Sequence, residues 1–147
     1  MKWSQRNPRH TTCFDELAAA LRAHARGRYH AVAAVELLIG HRRWLCREEF
    51  VGRFVWVGRA LVGGDLLAVV DWPAVVKALA AGGLPCSGGE GCVLRIAASI
   101  AAGVPVDLRD CLSTLDGVSV GLVVQAVHCG GGQARPGGFG VGRGEQR

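Results

Sequence analysis

The chain has 147 residues, 50% of them hydrophobic and 20% charged, with a formal net charge of +5. That length builds one domain with a real core, and that hydrophobic content excludes an intrinsically disordered protein. Uncharged runs such as Ile96–Val106 and Gly117–Val127 reach eleven residues, short of the roughly 20 that a bilayer span needs, so no membrane partner is expected.

The chain opens Met1-Lys2-Trp3-Ser4-Gln5-Arg6, which is not an apolar export signal. Cys13, Cys46, Cys86, Cys92, Cys111 and Cys129 therefore read as reduced thiols, and the expected location is cytoplasmic. Residues 1–11 are expected to be a flexible N-terminus. Thr12 followed by Asp15 has the spacing of a capping box, and Phe14, Leu17, Ala18, Leu21 and Ala25 recur at helical intervals up to Gly27. A second helix is predicted from about Tyr29 to Ile39, with Val32, Val35, Leu38 and Ile39 on one side. A third runs from about Leu45 to Val55, its stripe made of Cys46, Phe50, Val51, Phe54 and Val55.

The stretch Val55–Val70 is the least helical. Two aliphatic runs flank Gly63-Gly64-Asp65, the pattern of a short hairpin. Asp71 then caps a helix with Pro73 in its first turn, and Gly82-Gly83 ends it. Ser87-Gly88-Gly89-Glu90 is a second capping box, followed by the stripe Val93, Ile96, Ala97 and Ile100. Asp107 starts a short helix carrying Leu108, Cys111, Leu112 and Leu115; Asp116 starts another carrying Val120, Val123, Val124 and Val127. Residues 130–147 hold eight glycines and are expected to form a disordered Gly/Arg tail. The predicted fold is mainly α: a compact bundle of about six or seven short helices over 12–129, one short β-hairpin near 55–70, and a flexible Gly-rich C-terminal tail.

Charge is unevenly placed. Residues 1–60 carry 11 basic and 5 acidic side chains (+6), residues 61–132 carry 3 and 6 (−3), and the tail carries 3 and 1 (+2). The segment 41–59 interleaves Arg42, Arg43, Arg47, Arg53 and Arg59 with Trp44, Phe50, Phe54 and Trp56. Guanidinium groups beside aromatic rings suit phosphate neutralisation and base stacking, so these five arginines are the candidate nucleic-acid contacts. With Gly40-His41-Arg42-Arg43 between two helices, the segment also has the outline of a helix-turn-helix. Fifteen of the 17 basic residues are Arg, alongside abundant Ala, Gly and Val. A GC-rich genome produces that joint bias, which weakens the arginine excess as a functional signal.

Leu84-Pro85-Cys86-Ser87-Gly88-Gly89-Glu90 resembles the signature motif of ABC-type ATPases, and Asp110-Cys111-Leu112-Ser113-Thr114-Leu115-Asp116 echoes the segment after that family's Walker B strand. The resemblance implies an anion held at a helix N-terminus by Ser87 and the amides of Gly88 and Gly89. The chain departs from that family in having no Gly-x-x-x-x-Gly-Lys-Ser/Thr loop, and Cys111 stands where the water-polarising Glu would be. Taken whole, Asp71-Trp72-Pro73, the Pro-Cys-Ser-Gly-Gly-Glu string, Leu94–Ala101, Val104–Leu108 and Leu115-Asp116 resemble a set of small uncharacterised actinobacterial proteins. That likeness covers roughly residues 30–132 and implies no transferable activity.

Cys86 and Cys92 have five residues between them, outside the two-to-four-residue spacing of structural zinc pairs. No metal or cofactor is expected. Cys86 before a helix is the one candidate nucleophilic thiol, but no His is paired with it by sequence, so no catalytic residue is assigned. The sequence therefore points to a small non-catalytic cytosolic interaction or accessory protein with an unknown protein partner. The alternative is a nucleic-acid-binding protein working through segment 41–59.

Overall fold

Seven α-helices and a three-stranded antiparallel sheet account for residues 3–5 and 13–132, the part of the chain that the computed structural model describes. The mainly helical fold with a hairpin between residues 55 and 70 agrees with the sequence expectation. Residues 1–2, 6–12 and 133–147, including Thr12 and most of the expected Gly/Arg tail, lie outside the described residues.

The first helix, α1 (Phe14–Ala25), has Cys13 at its N-cap with no side-chain bond, while Asp15 and Glu16 place negative charge in its first turn. The second, α2 (Tyr29–His41), buries Ala33, Ala34, Val35, Leu37 and Leu38. Those residues cover most of its circumference, not one side. Its alanines admit close neighbours, and α1 is one of them.

The chain then turns instead of entering a helix at Leu45. Arg42 takes φ +63°, and the N–H groups of Arg43, Cys46 and Arg47 close short backbone bonds onto His41, Arg42 and Trp44. The next helix, α3 (Glu48–Phe54), is therefore only seven residues long. Phe50, Val51 and Phe54 are buried as expected, but Cys46 is exposed in the turn and not on the apolar stripe.

Strand β2 (Val55–Arg59) continues directly from α3 and pairs antiparallel with β3 (Leu66–Val70), Val55 opposite Val70 and Arg59 opposite Leu66. On its other edge β2 receives β1 (Ser4–Gln5), with Ser4 opposite Val57 and Gln5 opposite Trp56. Residues 4–5, within the expected flexible N-terminus, pair here as a strand, because an open strand edge offers backbone partners that no periodicity announces. Helix α1 packs on β3.

Helix α4 (Trp72–Ala80) begins at Asp71, whose side chain accepts from the Ala74 N–H, with Pro in the first turn. Helix α5 (Gly88–Ala102) carries the complete Ser87/Glu90 capping box and ends at Gly103 in the left-handed region. It buries Cys92, Val93, Leu94, Ile96, Ala97 and Ala98 and packs against α2 and α4. Asp107 and Asp116 cap α6 (Leu108–Thr114) and α7 (Gly117–Gly130) by accepting from Asp110 and Ser119. Helix α7 lies along α2 and also touches α5, and α6 rests on α5.

The expected inward stripes of α6 and α7 are only half realised. Cys111 and Val123 are buried, but Leu108, Leu112, Val124 and Val127 are exposed. Each of these helices packs on one side only, so the remaining apolar positions face outward.

Candidate functional site

The basic segment and the Ser-Gly-Gly-Glu string, separate in sequence, meet in space. Glu90, the third residue of α5, is the hub. Its carboxylate accepts from Arg47 Nη2 at 2.5 Å, from Arg43 Nη1 at 3.3 Å and from the Ser87 N–H at 3.4 Å. Its own N–H donates to Ser87 Oγ at 3.2 Å. Its backbone carbonyl accepts from Trp44 Nε1 at 2.9 Å. Arg47 adds a second bond, to the Pro85 carbonyl at 2.8 Å, and its guanidinium lies 4.4 Å over the Trp44 ring. Trp44 is fully buried and stands against Phe50 with ring centroids 5.2 Å apart.

Each of the five candidate nucleic-acid arginines has a contact within the protein. Arg42 stacks over Phe14 at 4.1 Å. Arg43 and Arg47 pair with Glu90. Arg53 pairs with Glu49 at 3.2 Å, donates to the Gly83 carbonyl at 3.3 Å and covers Phe54 at 4.8 Å. Arg59 donates to the Gly64 carbonyl at 3.0 Å, at the other end of the hairpin. The five do not form one stripe. Helix α3, the would-be reading helix, turns Phe50, Val51 and Phe54 inward and leaves Glu48 and Glu49 exposed beside Arg53. That surface is charge-mixed and not basic.

The anion expected at Ser87, Gly88 and Gly89 would meet a carboxylate already in place. Glu90 supplies the negative charge that the positive end of α5 favours, and the Ser87 hydroxyl already accepts from the Glu90 N–H. Gly88 and Gly89 abut the end of α6: a Cβ built on Gly89 would lie 3.3 Å from the Thr114 carbonyl oxygen.

Beside this junction His41 holds a buried Nδ1 with no hydrogen-bond partner among the described residues. Burial lowers its pKa from the usual histidine value. The charges of Arg43 and Arg47 act in the same direction, against Glu90 and Asp116. Sequence reasoning missed His41 and the role of Glu90, because nothing in the chain's periodicity says that residues 41–47 dock on the start of α5.

The thiols separate by burial. Cys13, Cys46 and Cys86 are exposed, whereas Cys92 and Cys111 are buried. Cys92 Sγ lies 3.1 Å from Thr114 Oγ1. Burial, with the neighbouring Cys92, pushes the Cys111 thiol up to about 12. At about pH 8 iodoacetamide is expected to modify Cys13, Cys46 and Cys86 in the native protein. Cys92 and Cys111 should react only after denaturation, as read by mass mapping of the alkylated peptides. Native labelling of Cys111 at the rate of Cys86 would contradict the packing of α5 against α6.

Among the described residues no group of three or more His, Cys, Asp or Glu side chains is arranged to hold a metal ion. Comparison with protein-family models, with curated proteins and with solved structures gave no match.

Proposed function

We propose that the protein is a non-catalytic cytosolic interaction protein that docks a protein partner through the outward side of α7. The observation that carries this reading is the composition of that side. Helix α7 has no Asp, Glu, Lys or Arg. It turns Ser119, Val123 and Ala126 into the core, and Val118, Val124 and Val127 remain 60–77% exposed. Gly117 and Gly121 share the outward face with Val124 at helical spacing, and a Cβ built on either glycine meets nothing within 4 Å. A partner side chain can therefore approach the backbone between flanking valines. Leu108 and Leu112 on the preceding α6 add two half-exposed leucines one turn apart.

Leaving such side chains in water forgoes about 1.5–3 kcal/mol for each that could be fully buried. An exposed apolar face of this kind is the ordinary mark of a protein–protein contact. The outward side of α7, where the exposed Gln125 and His128 sit among the valines, carries no Asp, Glu, Lys or Arg, which supports a protein partner better than a nucleic acid, because phosphate binding requires a run of cations.

A photo-crosslinking residue placed at Val124 tests this in the native host. A discrete protein adduct that persists at high salt, and that Val118→Glu abolishes, is the expected result. An adduct with a second copy of this chain would identify the partner as itself. No protein adduct at 124, or an adduct unaffected by Val118→Glu, would overturn the proposal. Both positions are exposed, so the variants should keep the fold within about 0.5 kcal/mol.

A further inference from the structure

Between β2 and β3 the Ala60 N–H donates to the Asp65 carbonyl at 2.8 Å, closing a loop whose apex is apolar. Leu61 and Val62 are 83% and 88% exposed, more than any other large hydrophobic among the described residues. Gly63 and Gly64, at φ +82° and +66°, make the chain reversal, so the two aliphatic side chains are not needed to form the turn. Turn apices are ordinarily Gly, Pro, Asn, Asp or Ser.

The same end of the molecule gathers aromatic and basic groups. Pairing of Ser4 with Val57 sets Trp3 level with Gly58, near the base of the loop. The half-buried Trp3 ring meets His24 of α1 edge-on at 5.3 Å. Arg28 Nη2 donates to the His24 carbonyl at 2.8 Å, so the α1–α2 turn lies alongside. That turn, Arg26-Gly27-Arg28-Tyr29, is exposed throughout. Arg59 stands at the root of the apex on the Gly64 carbonyl.

Neutral carbonyls leave the charges of Arg28 and Arg59 uncompensated. Among the described residues Arg26, Arg28 and Arg59 make no ion pair, whereas Arg22 is held by both oxygens of Glu36. Asp65 is the acid of the loop. Among the described residues named here, three positive charges stand against one negative.

We propose that this end docks on an anionic lipid bilayer surface. Leu61 and Val62 enter the boundary between headgroups and acyl chains, Trp3 and Tyr29 sit at headgroup level, and Arg26, Arg28 and Arg59 bind lipid phosphates and carboxylates. The combination selects the partner: a nucleic acid would leave the aliphatic apex in water, and a neutral apolar pocket would leave three guanidinium charges unmatched. Docking of this kind needs no spanning helix, in keeping with a structure in which no helix among the described residues is long and apolar enough to cross a membrane.

Cosedimentation of the full chain with vesicles tests the proposal, comparing phosphatidylcholine alone with phosphatidylcholine containing about one quarter phosphatidylserine. Partitioning onto the anionic vesicles is expected to exceed that onto the neutral ones by about tenfold or more. Leu61→Ser with Val62→Ser should weaken it about tenfold, and Arg26→Gln with Arg28→Gln should remove its salt dependence. The substituted positions are exposed, and unchanged circular dichroism confirms the fold. Equal partitioning onto both vesicle types, no partitioning, or undiminished binding by the Leu61/Val62 variant would each overturn the proposal. Binding of an oligonucleotide in place of anionic vesicles would overturn it as well, and would assign these arginines to phosphate in a nucleic acid.

Discussion

Trp44→Ala is expected to destabilise the protein by about 4 kcal/mol, the range for removing a fully buried large aromatic side chain. Trp44 has no exposed surface, packs on Phe50 and supports the Arg47 guanidinium on its face. Its loss opens a cavity at the point where the 41–47 turn meets α5, and also leaves the Glu90 carbonyl without its indole donor. Against a total stability of about 5–15 kcal/mol for a domain of this size, that is a large share. The melting temperature should fall by about 15 °C in calorimetry or thermal circular dichroism. Trp44→Phe keeps most of the apolar volume but loses the indole donor and part of the ring, so a smaller loss of about 1–2 kcal/mol is expected. If the two variants melt together, the hydrogen bond and not the packing sustains the junction. If neither shifts the melting point, the turn does not dock on α5 in solution.

Glu90→Ala should cost about 2 kcal/mol, the second largest expected effect. The substitution strips one half of the capping box, which alone is worth about 1 kcal/mol. It also leaves Arg47 without its carboxylate at a site where the Glu90 side chain is only 12% exposed. The Arg43 pair adds little, because Arg43 is 70% exposed and screened by solvent. Breaking a fully buried ion pair costs more, about 3–5 kcal/mol, and the partial exposure of Arg47 sets the lower figure here. Glu90→Gln retains the acceptor oxygen and the cap geometry, so it should recover about half of the loss. Chemical denaturation midpoints with unchanged slope would measure this. A double-mutant cycle between Arg47→Ala and Glu90→Ala should show a coupling of about 1 kcal/mol or more. A coupling near zero would place the capping box, not the cross-element ion pair, as the reason Glu90 matters.

A guanidinium engaged with a carboxylate, a carbonyl and an indole face is a structural clamp first. Arg43 and Arg47 neutralise Glu90, so the high positive charge of residues 1–60 is partly spent within the fold. The cations left without an acidic partner among the described residues include Arg26, Arg28 and Arg59. Arg26 and Arg28 lie at the α1–α2 turn and Arg59 at the root of the hairpin apex; within the segment 41–59, Arg42 and Arg59 are the two without an acidic partner among the described residues.

Local chemistry was legible without coordinates wherever one short stretch carries the whole cause. The Ser87/Glu90 capping box, the Asp71, Asp107 and Asp116 caps, the Gly-Gly reversal at 63–64 and the helix stop at Gly103 depend on residues within four positions of each other. Side chains that satisfy their own neighbouring N–H groups declare themselves in sequence. Helix existence follows from apolar periodicity for the same reason.

Tertiary structure alone decided three things. It chose which apolar positions stay in water: Val124 and Val127 satisfy the same periodicity as Val123, but α2 covers only one side of α7. It paired Arg43 and Arg47 of the +6 region with Glu90 of the −3 region, because charge pairing depends on distance in space and not on separation in sequence. It brought Ser4–Gln5 onto the edge of β2 and Trp3 against His24, which sets an aromatic ring and the α1–α2 arginines near an aliphatic hairpin apex. Caps, stops and periodicity are properties of a few consecutive residues, whereas an exposed face or a charge cluster belongs to the packing of the whole chain.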